Sequence, residues 1–231
     1  MHRLPGLRGG VPGRGGFRLP GRRWGVPAVN GDPVHPIEAE SYAVLARRVD
    51  LSAWAPGARD VVARMVHATA DESFARTARI GPSAVESAVE ALRCGAPVIC
   101  DANMVVAGVP RVPGAVCYLD RVPEAPSGST RSAAALELAA DEHPAGAVWV
   151  VGNAPTALAR LLELWRGGRV HPAAVVGLPV GYVGAAESKR LLWGSELRSV
   201  SVTNAGPRGG SPVAAAAVNA LARLAADRRA G

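Results

Sequence analysis

Four polar residues at helical spacing carry the clearest chemistry in the sequence. Asp60, Arg64, His67 and Asp71 follow one another at steps of four, three and four, which places them on one face of an α-helix. Val62, Met65 and Val66 fall opposite them, as the stripe a fold would bury. An imidazole beside a guanidinium resists a second positive charge, while a neighbouring carboxylate, Asp60 or Asp71, favours it. A histidine between such influences can exchange a proton near neutral pH. The same spacing also fits a histidine that is merely solvated on a polar helix face.

Other candidates are weaker. His35, His143 and His171 each precede a proline near a turn, and His2 lies close to the amino end. No histidine pair has metal-ligand spacing, and Cys94, Cys100 and Cys117 have none either; no intrinsic metal site and no cysteine chemistry are expected. No G-x-S-x-G elbow is present, so a serine hydrolase lacks support. Three glycine-rich turns, at 152–156, 179–184 and 208–211, precede helices. Backbone N–H groups at such helix starts suit anions. None completes a dinucleotide fingerprint or a P-loop. Each turn could equally serve only tight chain reversal, but three at one sheet edge point to a multiply anionic ligand.

The elements that must position these residues repeat one unit: a short apolar strand, a turn rich in Gly and Pro, then a helix. Strands are expected at 96–100, 147–151, 173–178 and 200–203, and helices at 157–165 and 185–192. A last helix should have Ser211 as N-cap, Pro212 in its first turn, and one stripe of Ala214, Ala217, Val218, Leu221, Leu224 and Ala225. Earlier helices are expected from Pro36, burying Ile37, Tyr42, Leu45 and Val49, and over 57–69. Ser83–Glu86 has the form of a capping box opening a helix that stops near Gly95. Unbroken apolar strands alternating with helices indicate an α/β single domain: a three-layer, doubly wound, mostly parallel sheet with helices on both faces. Ligands of such sheets bind at the carboxyl ends of the strands.

Bulk properties narrow the function further. The chain has 231 residues, 48% of them hydrophobic and 19% charged, with a formal charge of +7, as a soluble globular domain would. Six of the arginines lie in residues 1–30 with no acid among them; elsewhere 20 basic residues face 19 acidic ones. A nucleic-acid surface is therefore not expected, and aromatics at 4% leave few platforms for stacking bases. Residues 1–35 hold a Gly/Pro/Arg-rich run without hydrophobic period. A disordered tail is expected there, followed by one domain over 36–231. No apolar run reaches the roughly 20 residues of a membrane span, and no secretory signal pattern stands out. A cytoplasmic protein with reduced thiols is expected.

Several blocks together resemble a known family. They are Arg64-Met65-Val66-His67, Asp101-Ala102-Asn103-Met104-Val105, Thr130-Arg131-Ser132-Ala133-Ala134 and Gly152-Asn153-Ala154-Pro155-Thr156. The run Gly177–Lys189, then Arg208-Gly209-Gly210-Ser211 and Val218-Asn219-Ala220-Leu221, continue the series in order. The set resembles the precorrin-8X / cobalt-precorrin-8 methylmutases over roughly 36–224. The resemblance implies an isomerase of cobalamin biosynthesis that moves a methyl group between adjacent carbons of ring C of a corrin precursor. Its product is hydrogenobyrinic acid, or cobyrinic acid from the cobalt complex, with no redox cofactor or methyl donor. It implies His67 as the catalytic proton donor and Ser41 and Arg64 as substrate contacts. A wider tetrapyrrole pocket would take in Thr130, Arg131, Lys189 and Arg208, since arginine forks and helix starts bind carboxylates. A homodimer with its site near the subunit interface is implied too. The rival readings are a non-catalytic corrinoid carrier and an unrelated nucleotide-binding α/β enzyme.

Overall fold

The structure is a computed structural model and describes residues 35–227. Residues 1–34 of the expected tail, and 228–231, lie outside the described residues. His35 is described, and its Nδ1 caps the first helix by accepting from the Ile37 N–H at 3.3 Å.

Six short strands form one sheet: β1 (Ala78–Ile80), β2 (Val98–Cys100), β3 (Ala115–Cys117), β4 (Val148–Val151), β5 (Ala174–Gly177) and β6 (Ser201–Asn204). Their spatial order is β1-β6-β5-β4-β2-β3. Only β1 is antiparallel, pairing with β6; the other neighbours are parallel. The described helices are α1 (Pro36–Arg48), α2 (Pro56–Thr69), α3 (Ser73–Thr77), α4 (Ala84–Arg93), α5 (Asn103–Gly108), α6 (Arg131–Glu142), α7 (Pro155–Arg166), α8 (Ala185–Trp193) and α9 (Ser211–Asp227).

Alternation along each strand sorts the core into two layers. Val98, Cys100, Val148, Val150, Ala174, Val176 and Val202 face α1, α2, α4, α5 and α9. Ile99, Trp149, Val151 and Val175 face α6, α7 and α8. The strands read as unbroken apolar runs because both faces are covered, as expected for a doubly wound sheet. Prolines at the start of α1, α2 and α7 supply the fixed φ of a first turn.

Four local expectations are corrected. Ser83 precedes α4, yet its hydroxyl makes no capping bond; its N–H is instead held by the Ser199 carbonyl at 2.9 Å. Gly210, not Ser211, caps α9, since its carbonyl accepts the Ala214 N–H at 3.0 Å. Ile37 is 71% exposed rather than buried. The single stripe expected on α9 is also too narrow. Val213 to Val218 are all buried because α2, α4 and α5 pack around the helix. Gly108 permits the close approach of α5: a Cβ there would stand 2.6 Å from the Ala215 Cβ.

Candidate active site

Helix α2 presents His67 toward α1, and the two helices make a compact polar group. His67 Nδ1 and Ser41 Oγ share a hydrogen bond of 2.9 Å. The imidazole stacks on the Tyr42 ring, with centroids 4.6 Å apart and planes 10° from parallel. Arg64, one turn earlier, donates from Nη1 to Glu38 Oε1 at 2.6 Å and to the Tyr42 hydroxyl at 3.3 Å. Serine and tyrosine thus fix the ring plane, and Nε2 is the ring nitrogen that Ser41 leaves free. Burial, and then the Arg64 charge, hold the His67 pKa below its ordinary value, while Glu38 pulls the other way.

Glu38 therefore does what was expected of Asp60 and Asp71. Asp60 shares the helix face but lies seven residues away, roughly 10 Å along the axis. Burial pushes its carboxyl up, while Arg223 and Arg59 draw it down. Asp71 lies beyond the helix, because Ala70 takes the left-handed conformation that ends α2. Its carboxylate accepts from Arg208 Nη1, and its Oδ1 takes the Ser73 N–H at 3.0 Å. Burial raises the Asp71 pKa, but the Ser73 and Arg208 bonds outweigh it and hold the group low.

Arg208 leaves the carboxyl end of β6 and reaches the end of α2, one turn past His67. Its Nη1 donates to the Asp71 carboxylate and to Ser73 Oγ, the latter at 3.2 Å. Lys189 is 1% exposed on α8. Its Nζ donates to Asn204 Oδ1 at 3.0 Å and to the Arg208 carbonyl at 2.5 Å. Burial pushes its amine down to about 8. Thr130 caps α6 through the Ala133 N–H and shares a 2.8 Å hydrogen bond with Thr156. Arg131 donates from Nε to the Val122 carbonyl at 2.7 Å and from Nη2 to that of Leu119 at 3.1 Å. Ser41, Arg64 and His67 are thus brought together, with Arg208 bonded to the turn that follows them. Thr130 and Arg131 belong to a separate group at the start of α6, and the Lys189 ammonium is engaged inside the fold.

The glycine turns are less open than their sequences suggest. Asp101, buried at the end of β2, takes the Gly152 N–H on Oδ1 at 2.9 Å. Its Oδ2 takes those of Asn153 at 2.9 Å and Ala154 at 2.7 Å. Burial pushes the Asp101 carboxyl up, and these N–H groups oppose the rise. The N–H groups expected to meet a ligand anion there already meet one within the chain. The turns after β5 and β6 brace each other: Gly210 N–H donates to the Leu178 carbonyl at 2.8 Å, and Gly181 N–H to that of Pro207 at 3.1 Å.

Beside His67 lies a small open cavity of about 150 Å³, lined by Ser41, Val44, Leu45, Arg48, Val49, Val66, Ala70 and Glu72. Above the sheet edge, Tyr182 is 100% exposed and Val183 88%. Burial, then the Asp101 charge, push the Cys100 thiol up to about 12. Among the described residues no helix is long and apolar enough to cross a membrane.

A parallel sheet wound on both faces, with charged side chains gathered where its strands end, is the build of the α/β ligand-binding domains. The sequence profile of the precorrin-8X methylmutases matches residues 36–224, and the chain belongs to that family. It is 44% identical to the precorrin-8X methylmutase of a Sinorhizobium species over 197 residues, covering 81% of this chain and 93% of the relative. A cobalt-precorrin-8 methylmutase from Methanothermobacter thermautotrophicus is 41% identical over 184 residues, 78% of this chain and 86% of that one. The crystal structure of the Thermus thermophilus precorrin-8x methyl mutase superposes with a TM-score of 0.76 at 37% identity. It covers 83% of this chain and 96% of its own.

Proposed function

We infer that this protein is a precorrin-8X methylmutase of cobalamin biosynthesis, an isomerase that moves a methyl group between adjacent carbons of ring C within one corrin precursor. The methyl group leaves and arrives within the same molecule, so atoms and electrons balance without a donor or a redox partner. His67 is the proton-handling group. Nδ1 is occupied by Ser41 and the ring is held flat on Tyr42, so Nε2 is the atom that gives or holds a proton at the macrocycle. Burial and the Arg64 charge, which hold the His67 pKa below the ordinary histidine value, favour the neutral ring, whose Nε2 then carries the proton when Nδ1 accepts from Ser41. Arg64, with Arg208 nearby, meets the acetate and propionate side chains, because a guanidinium fork pairs with carboxylate. The observation that carries the reading is the His67–Ser41–Tyr42 arrangement inside the segment that matches the family.

The functional unit is a homodimer in the cytoplasm. A cavity of about 150 Å³ is smaller than the ~300–1,000 Å³ typical of small-molecule sites, so a tetrapyrrole needs further walls. The exposed Tyr182 and Val183 offer an apolar surface for a second copy to cover. Ser41 lies at the centre of the pocket, and Thr130 and Arg131, grouped apart at the start of α6, form its outer wall. Relatives named for the metal-free and for the cobalt substrate match at similar identity. Incubation with precorrin-8X and with its cobalt complex, followed by visible spectroscopy, tests the assignment: conversion of either to the corrin product supports it. Binding of the product without conversion of either would establish the carrier reading instead.

A further inference from the structure

The chain contains 26 basic residues, and Lys189 is the only lysine among them. A sequence that otherwise uses arginine keeps a compact ammonium at a position that is 1% exposed. The surroundings explain the choice. Nζ sits between two oxygens, Asn204 Oδ1 at 3.0 Å and the Arg208 carbonyl at 2.5 Å. A planar guanidinium with five donors spread over a fork does not fit a buried two-oxygen site as a point charge does.

That carbonyl belongs to the residue whose side chain reaches α2. The Asn204 Nδ2 donates to it as well, at 3.0 Å. Glycine at 209 lets the loop lie directly against its neighbour: a Cβ there would stand 2.3 Å from the Leu178 and Pro179 oxygens. With the two turns braced by Gly210 and Gly181, the backbone of Arg208 is fixed from three sides. Its guanidinium then extends to Asp71 and Ser73.

We propose that Lys189 is a positioning residue, which supports corrinoid binding through Arg208 and does not itself touch the ligand. The proposal rests on the reading of Arg208 as a contact for a corrinoid carboxylate. Holding the Arg208 carbonyl sets the guanidinium at the end of α2, one turn from His67. Without the ammonium, that carbonyl keeps only the Asn204 amide, and the loop loses the bond that ties it to α8.

Binding of hydrogenobyrinate to the purified full-length chain tests this in four proteins: wild type, K189M, R208A and the double variant, each with its melting temperature. Loss of a charge-assisted contact weakens binding by about tenfold to a hundredfold, and Arg208→Ala should do so. Lys189→Met should weaken it within the same range. The double variant should bind no worse than Arg208→Ala alone, within about twofold, as expected for two residues acting through one contact. Losses that multiply in the double variant would overturn the proposal, as would unchanged affinity in a folded K189M protein. Unchanged affinity in R208A would remove the reading on which the proposal rests. If the wild type fails to bind, the functional assignment itself falls. Because Lys189 is the only lysine, an amine-reactive label gives a second test that does not require a folded variant. Native protein should be labelled at its α-amino group only, with or without hydrogenobyrinate. Labelling of Lys189 that the corrinoid suppresses would mean direct contact and would refute the proposal.

Discussion

Replacing Asp101 by Asn changes one oxygen to an amino group at the end of β2, and the structure sets what that costs. The carboxylate accepts three N–H groups, Gly152 on one oxygen and Asn153 and Ala154 on the other, at 2.7–2.9 Å. An amide has one oxygen, so its better orientation keeps the Asn153 and Ala154 bonds and turns its own NH2 against the Gly152 N–H. One charge-assisted hydrogen bond is lost, worth about 1.5–3 kcal/mol, and a buried donor is orphaned at a further ~1–3 kcal/mol. Relief from burying a charge offsets part of this, leaving a net loss of about 2–4 kcal/mol. At roughly 2–4 °C per kcal/mol for a domain of this size, the melting temperature should fall by about 5–15 °C. Guanidinium denaturation of the two proteins, with the slope compared as well as the midpoint, measures the loss. A difference below about 0.5 kcal/mol would refute the assignment of Asp101 as the internal anion of the 152–154 turn.

Three further expectations concern charge, pH and chain extent. Glu38→Gln should lower the His67 pKa further and Arg64→Gln should raise it, because the two charges act on the ring in opposite senses; ring NMR titrations that move in the same direction in both variants contradict this. A histidine pKa depressed below 6.5 by folding contributes stability present above that pH and lost as the pH falls through the folded value. A His67→Ala protein should therefore lose less stability than wild type between neutral pH and about pH 5. Removal of residues 1–30, which carry no hydrophobic period, should leave melting temperature and activity nearly unchanged; a large drop in either would mean that the segment docks on the domain.

The parts of the fold legible in the sequence are those that central strands make legible. Val148–Val151 and Ala174–Gly177 are buried on both faces, so they appear as apolar runs ahead of glycine turns. The edge strands Ala78–Ile80 and Ala115–Cys117 are not legible, because three residues with one arginine, or with half-exposed side chains, carry no period. Helix α6 is alanine-rich and weakly patterned, although Thr130 was there to mark its start. At the candidate site, the Arg64–His67 spacing was visible along one helix. Ser41 came from family resemblance alone, and the contacts of Glu38 and Tyr42 came from neither. These residues meet α2 across 22 to 26 positions of chain, and no local pattern encodes such a meeting. Nor does spacing reveal that Asp101 uses the N–H groups of a turn 51 residues away.

The central claim is that His67 handles the proton for methyl migration and contributes little to holding the ligand. Rearrangement of precorrin-8X and binding of hydrogenobyrinate, measured on one preparation of His67→Ala, test it together. General acid–base groups contribute about 100- to 10,000-fold in rate. Conversion should therefore fall by at least about 100-fold, while product affinity stays within a few-fold of wild type. Conversion at near wild-type rate would contradict the account, whatever the family of the chain.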